Sequence, residues 1–176
     1  MIYLSDIKTF ELQYKAHFTA LKHFAKNYLD DEEVVLDILQ DLFLKLYEKR
    51  LNFETEEQLK AYLYRSLQNN CLTYIRNNER AKKQLKDYTI EESDETFINA
   101  IIESEVFNLI NKTFEELPEA CKNVYKLSLQ GKSHKEIAEE LNISVNTIKR
   151  HKNYANHFLQ KKLQKILEII ILVQFY

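Results

Sequence analysis

SHKEIAEELNISVNTIKRHKNYANHFL, residues 133–159, carries the pattern from which the rest of the chain is best read. Ser133 is placed to cap a short helix whose Ile137, Ala138 and Leu141 form an apolar strip. Asn142 ends that helix, Asn being the next-best residue after Gly for left-handed backbone. Ile143 plugs the corner, and Ser144 caps a second helix from Val145 onward, with Ile148, Ala155, Leu159 and Leu163 on its inner side. At about 100° per residue the opposite side collects Asn146, Arg150, Asn153 and His157, flanked by Thr147, Lys149 and Tyr154. No acid occurs from Asn142 to Leu167. A buried strip on one side and long donors and amides near the N-terminus on the other are what a helix needs to enter a major groove. Ser144, Asn146, Thr147, Lys149, Arg150, Asn153 and Tyr154 are therefore candidate DNA contacts.

Upstream, Val106 to Gly131 holds two more amphipathic segments separated by Leu117-Pro118-Glu119, where Pro is tolerated at a first helical turn. That makes a four-helix unit. The composition of the whole chain agrees: 176 residues, 45% hydrophobic and 30% charged, with a single Gly, Gly131. Gly-rich phosphate loops need several such residues, so nucleotide-binding α/β folds are excluded. Runs of Leu, Lys, Glu, Gln and Ala favour helix, and the fold class expected is all-α. Cys71 and Cys121 stand far apart in no metal-ligand pattern, so no metal and no cofactor is expected, and the thiols should be reduced in a cytoplasmic protein. The apolar run Ile166 to Val173, interrupted by Glu168, is far short of the roughly 20 residues that span a bilayer, and no membrane insertion is expected.

The formal net charge of -2 conceals a sharp pattern. Residues 1–86 hold 14 Lys and Arg against 13 Asp and Glu, residues 87–105 hold none against 7, and residues 106–165 hold 11 against 6. The acidic stretch begins DYTIEESDET, without helical periodicity, and reads as a linker between two small helical domains. The expected division is a first domain over 1–86, an acidic linker over 87–105, a helix-turn-helix domain over 106–167 and an apolar tail over 168–176. Two basic regions in separate domains point to nucleic acid and to strongly salt-dependent binding.

In the first domain Glu33 to Lys49 puts Val35, Ile38, Leu39, Leu42 and Leu46 on a buried helix face. The other side carries Asp37, Gln40, Asp41 and Glu48 with Leu44 among them, an apolar residue set among acids that suits a protein partner. The next helix, Leu59 to about Lys83, has Leu63, Leu67, Cys71 and Tyr74 inward, and Tyr62, Arg65, Asn69, Leu72, Thr73, Arg76 and Arg80 outward. Rings and amides interleaved with arginines suit unstacked single-stranded bases, because rings stack on bases while guanidinium groups hold the backbone.

The two halves together resemble the extracytoplasmic-function (group IV) sigma factors of bacterial RNA polymerase, which join a sigma2 and a sigma4 domain by a linker. The residues that carry the resemblance are Asp37-Ile-Leu-Gln40-Asp41-Leu-Phe43-Leu44-Lys-Leu-Tyr47, then Ala61-Tyr-Leu-Tyr64 through Asn69, Cys71 and Tyr74 to Arg76, and then Leu117-Pro118-Glu119 with the helix-turn-helix. Thr73 stands where the family often has Asp, Tyr47 where it often has Trp, and Asn142 where it usually has Gly. The resemblance implies a sigma2-like bundle and a sigma4-like four-helix domain. It implies that Asp37, Gln40, Asp41 and Leu44 dock on the clamp helices of core RNA polymerase. It further implies that Tyr62, Arg65, Asn69, Asn70, Thr73, Arg76 and Arg80 serve the melted minus-ten strand of promoter DNA, and that the helix-turn-helix reads the minus-thirty-five duplex while resting on the polymerase flap. An anti-sigma factor is the further partner it implies.

Two other classes compete. A free-standing helix-turn-helix regulator of the response-regulator type would use residues 1–86 to sense or dimerise, but a receiver needs alternating βα elements. A helical adaptor would use its basic faces on acidic partners. An enzyme is the least favoured class: Asp30 to Glu33 reads as a helix start and the five His are scattered.

Overall fold

Val35, Leu39, Leu42 and Leu46 recur at helical spacing in α2 (Glu32–Glu48), and all four are buried, with Phe43 beside them. They face α1 (Ile7–Ala25), which contributes Leu21, Phe24 and Ala25, and α3 (Glu56–Ala81), which contributes Leu59, Leu63, Leu67 and Cys71. Each fully buried leucine of such a core supplies about 1.5–3 kcal/mol of transfer free energy. The computed structural model describes the backbone of residues 1–81 and 93–174 and the side chains of residues 1–78 and 93–164. The chain is all-α and divides into two compact units, residues 1–108 and 109–176. Strand geometry among the described residues is confined to a two-residue antiparallel pair, β1 (Ile2–Tyr3) with β2 (Asn52–Phe53), Ile2 opposite Phe53.

The helices of the first unit begin where short polar side chains offer caps. Asp6 accepts from the Thr9 amide at 2.9 Å, and Asp31 accepts from the amides of Glu33 and Val34 at 3.0 and 3.4 Å. Glu32, in the first turn of α2, accepts from Lys22 at 2.6 Å and Lys26 at 3.1 Å, tying α2 to the end of α1. Phe10, Tyr14, Phe43 and Tyr47 form a chain of edge contacts with ring centroids 4.7 to 6.3 Å apart.

Residues 94–105, read from composition as linker, are helical in α4 (Asp94–Glu115), while residues 87–92 lie outside the described residues. The reason is apolar spacing that the acids conceal. Phe97 is buried, Ala100 and Ile101 pack against the same core, and Ser104 and Asn108 follow on that face. Asn108 donates to the Ala16 carbonyl at 3.2 Å and His23 stacks on Phe107 with centroids 4.1 Å apart. The first unit accordingly ends at Asn108, beyond the boundary drawn from charge.

The second unit contains the end of α4, α5 (Glu119–Leu129), α6 (His134–Leu141) and α7 (Val145–Gln174). Val124, Ile137 and Ile148 form one buried cluster, and Leu117, Cys121 and Ala155 another. Lys122 bridges Glu115 and Glu119, each at 3.0 Å, at the entrance to α5. The apolar tail lies within α7 as far as Gln174; its side chains lie outside the described residues. Among the described residues no helix is long and apolar enough to cross a membrane, and no cluster of His, Cys, Asp and Glu is set to hold a metal ion.

Candidate nucleic-acid interface

The turn between α6 and α7 is built from local hydrogen bonds. Ser133 and Glu136 form a reciprocal box: the Ser133 hydroxyl accepts from the Glu136 amide at 3.4 Å, and the Glu136 carboxylate accepts from the Ser133 amide at 2.7 Å. Those bonds hold the Glu136 carboxyl below its ordinary value, led by the Ser133 side chain. Asn142 closes α6 in left-handed conformation at φ 51° and ψ 46°, and Ile143 returns its amide to the Ala138 carbonyl at 3.0 Å. Ser144 then caps α7, accepting from the Thr147 amide at 3.1 Å.

These bonds present one side of α7 outward. Asn146, Lys149, Arg150, Asn153, Tyr154 and His157 are exposed, while Ile148 and Ala155 are fully buried beneath them. Thr147 is half-buried, and its hydroxyl lies 2.9 Å from that of Ser144. The hydroxyls of these two candidates are thus engaged in the helix start. Thr147, Arg150, Asn153 and Tyr154 also line a groove of about 500 Å³ with Pro118, Cys121 and His151. The exposed set is donor-rich and free of acids, which equips it for base edges and phosphates.

In the first unit Leu44 is 54% exposed and stands with Asp37, Gln40 and Asp41, all exposed, on the side of α2 away from the core. Tyr47, 40% exposed, continues that patch. Most of the inward strip expected of α3 is buried, but Tyr74 is 37% exposed, while Leu72 and Ile75 on either side of it are half-buried.

Of the outward residues of α3, Asn69, Thr73 and Arg76 are exposed, and Arg76 Nε donates back to the Leu72 carbonyl at 3.2 Å. Asn70 and Leu72 are half-buried. Tyr62 is half-buried too, leaning on Phe53 with centroids 5.5 Å apart, so its ring is partly spent on the loop that carries β2. Arg65 remains exposed yet pairs with Asp94 at 3.0 Å and covers the Phe97 ring at 4.0 Å. Arg80 lies in the last turn of α3, its side chain outside the described residues.

Sequence reasoning missed the partners that α4 supplies. Tyr64 donates to Glu105 at 2.8 Å, and Lys60 reaches the same carboxylate at 3.2 Å. Burial, with the Glu105 charge beside it, drives the Tyr64 phenol far above its ordinary value, so it stays a donor.

The chain matches Sigma-70 region 2 over residues 13–81 and Sigma-70, region 4 over residues 107–153. It is 24% identical over 174 residues to an ECF RNA polymerase sigma-E factor of Haemophilus influenzae, covering 92% of this chain and 91% of the relative. It is 26% identical over 127 residues to the RNA polymerase sigma factor SigZ of Bacillus subtilis, covering 70% and 69%. Among solved structures it is similar to the sigma factor RpoE in complex with the anti-sigma factor NepR from Bartonella quintana. There the identity is 20% and the TM-score 0.38, over 89% of this chain and 98% of that one.

Proposed function

Because the chain belongs to the sigma factors of bacterial RNA polymerase, of the extracytoplasmic-function type, we propose a division of labour between its two halves in promoter recognition. A sigma factor is a transcription initiation factor and not an enzyme. In this reading residues 1–86 dock on core RNA polymerase and hold the melted minus-ten strand, and residues 106–167 read the minus-thirty-five element as duplex. Of the residues between them, 94–105 belong to α4 and pack with the first half.

Leu44 carries the docking part of the reading. It is a large apolar side chain more than half in water among Asp37, Gln40 and Asp41, outside the well-filled core on the other side of its helix. The clamp helices of the polymerase are its proposed partner. On α7, Asn146, Lys149, Arg150 and Asn153 are the proposed readers of the major groove, with Tyr154 beside them, and Ser144 and Thr147 hold the helix N-terminus towards the phosphates. On α3, Asn69, Asn70, Thr73 and Arg76 are proposed to bind the separated strand, with Arg65 and Tyr62 at their N-terminal side and Arg80 beyond. An anti-sigma partner completes the reading and rests on family membership alone.

The test is co-elution of the purified protein with bacterial core polymerase in size-exclusion chromatography at moderate salt. Stable co-elution, lost on Leu44→Asp with the helical circular dichroism signal intact, supports the reading. Failure to bind core polymerase, together with tight binding of duplex DNA by the free protein, overturns it.

A further inference from the structure

Between His151 and Asn156 the side chains of α7 take two directions. Asn153 and Tyr154 are exposed on the proposed recognition side. His151, Lys152 and Asn156 instead reach back to α5. His151 Nδ1 lies 3.4 Å from Cys121 Sγ, Lys152 Nζ donates to Ser128 Oγ at 2.7 Å, and Asn156 Oδ1 accepts from the Tyr125 hydroxyl at 3.0 Å. Lys152 is the unexpected member of this set. Lys149 and Arg150, three and two residues earlier, are exposed, as a cation bound for phosphate should be, whereas Lys152 is half-buried with its ammonium on a neighbouring helix. A strongly hydrated ammonium is turned inward at a cost, and here it is matched to one hydroxyl of fixed position.

Apolar side chains hold the two helices together, with Val124 of α5 and Ile148 of α7 in one buried cluster and Tyr125, Phe158 and Leu159 closing over a second. Ala155, fully buried, packs with Leu117 and Cys121. Apolar packing of this kind sets how closely the helices approach but is non-directional, so the fine rotation of α7 about its own axis is left to directional bonds. On a helix of this radius a roll of about 10° carries a side-chain tip through about 1 Å, enough to misplace a base contact. The polar links on either side of Ala155 resist that roll.

We propose that Lys152 is a positioning residue of the recognition helix: through Ser128 it sets the roll of α7 on α5, and so the angle at which Asn146, Lys149, Arg150 and Asn153 meet a duplex. The inference rests on the reading of α7 as the duplex-reading helix. It assigns Lys152 no phosphate, although sequence alone would place this lysine with the other cations of an acid-free helix. Ser128, at the end of α5 and remote from the exposed side of α7, becomes a determinant of promoter affinity by the same bond.

The experiment uses holoenzyme assembled from core polymerase and the full chain. Wild-type holoenzyme first selects a duplex from a library randomised at the minus-thirty-five element. Its affinity for that duplex and for a scrambled one is then measured at several salt concentrations, for wild type, Lys152→Met, Ser128→Ala and the double variant. Each single variant is expected to bind the selected duplex about tenfold more weakly, the lower end for a hydrogen bond to a charged group. The double variant should be no weaker than Lys152→Met. Affinity for the scrambled duplex and the salt slope should stay as in wild type, with the helical circular dichroism signal intact at the assay temperature and the melting temperature lowered by no more than the loss of one hydrogen bond. A phosphate contact at Lys152 would instead lower the slope by about 0.9 and weaken both duplexes alike, which overturns the proposal. Wild-type behaviour of Ser128→Ala overturns it too, as does equal loss on both duplexes with a melting temperature lowered further than that. A wild-type holoenzyme that selects no sequence overturns the functional reading first, and this inference with it.

Discussion

The guanidinium of Arg65 lies 4.0 Å from the centre of the Phe97 ring, which is itself buried against Phe24 at 5.8 Å. An arginine proposed to hold a nucleic-acid strand therefore also roofs the core of its own unit. Its aliphatic stem and planar head cover apolar surface while its edge stays in water. Arg65 and Asn69, neighbours on one helix face, are thereby set apart in what their loss would do.

Arg65→Ala should lower the stability of the first unit by about 0.5–2 kcal/mol, the range for a cation over an aromatic face, and weaken strand binding as well. Asn69→Ala should leave stability within about 0.5 kcal/mol of wild type, as an exposed surface change does, and affect binding alone. Urea unfolding followed by circular dichroism, beside anisotropy of a single-stranded minus-ten oligonucleotide on holoenzyme, separates the two. Equal unfolding midpoints for both variants would show that the contact with Phe97 contributes nothing.

Leu39 and Leu44 differ by five positions and by nearly everything physical: one is fully buried, the other 54% exposed. Leu39→Ala should cost about 2–5 kcal/mol through lost transfer energy and the cavity left behind. Leu44→Ala should cost under about 0.5 kcal/mol. Chemical denaturation of the two variants decides it, and a costly Leu44→Ala would move Leu44 into the core and remove the argument for docking.

On α7, Arg150→Ala and Asn153→Ala should each weaken binding of the selected minus-thirty-five duplex by about 1–3 kcal/mol per lost base contact. Transcription from the cognate promoter at the wild-type rate by both variants would end the assignment of this helix to base reading.

Asn142 holds left-handed backbone at φ 51°. Gly is freer there and a β-branched residue is not, so Asn142→Gly should raise or leave unchanged the melting temperature of the second unit, and Asn142→Val should destabilise it by about 1–2 kcal/mol. Calorimetry would register the order Gly, Asn, Val; any other order would mean that the turn opens to accommodate the side chain.

The capping box predicts a pH dependence of known sign. The folded-state value of Glu136 is depressed below 4.5, so its contribution to stability is fully present above pH 4.5 and is lost as pH falls through the folded value. Between pH 6 and pH 3 the melting temperature of Glu136→Gln should fall less steeply than that of wild type. Parallel acid limbs would show that the charge of Glu136 adds nothing to the cap.

What the sequence made legible was local. The helix-turn-helix depends on Ser133, Asn142 and Ser144, whose roles are decided within four residues of each, and all three occupy the positions that spacing predicts. The buried side of α2 follows from one apolar period, and so does the exposure of Leu44. Long-range partnerships were not legible. Nothing in the composition of residues 94–105 announces that Phe97 enters the core of the first unit, because seven acids between 87 and 105 dominate any count of that stretch. The inward turn of Lys152 was equally hidden, since its partner lies 24 residues away. Tyr74 fitted the α3 period and is nevertheless 37% exposed, since period alone does not say how far along a helix its neighbours reach.

The chain's two cysteines fall one to each unit, Cys71 between α3 and the rest of the first core, Cys121 beneath Ala155 in the second. Burial pushes the Cys71 thiol up to about 12 and raises that of Cys121. Alkylating reagents attack the thiolate, so both sulfurs react slowly while the units are closed, Cys71 from the interior and Cys121 from the floor of the groove it lines. The molecule therefore carries two independent clocks. Timed alkylation read by peptide mass would report how often each half opens, separately and without a label, in free protein and on polymerase alike.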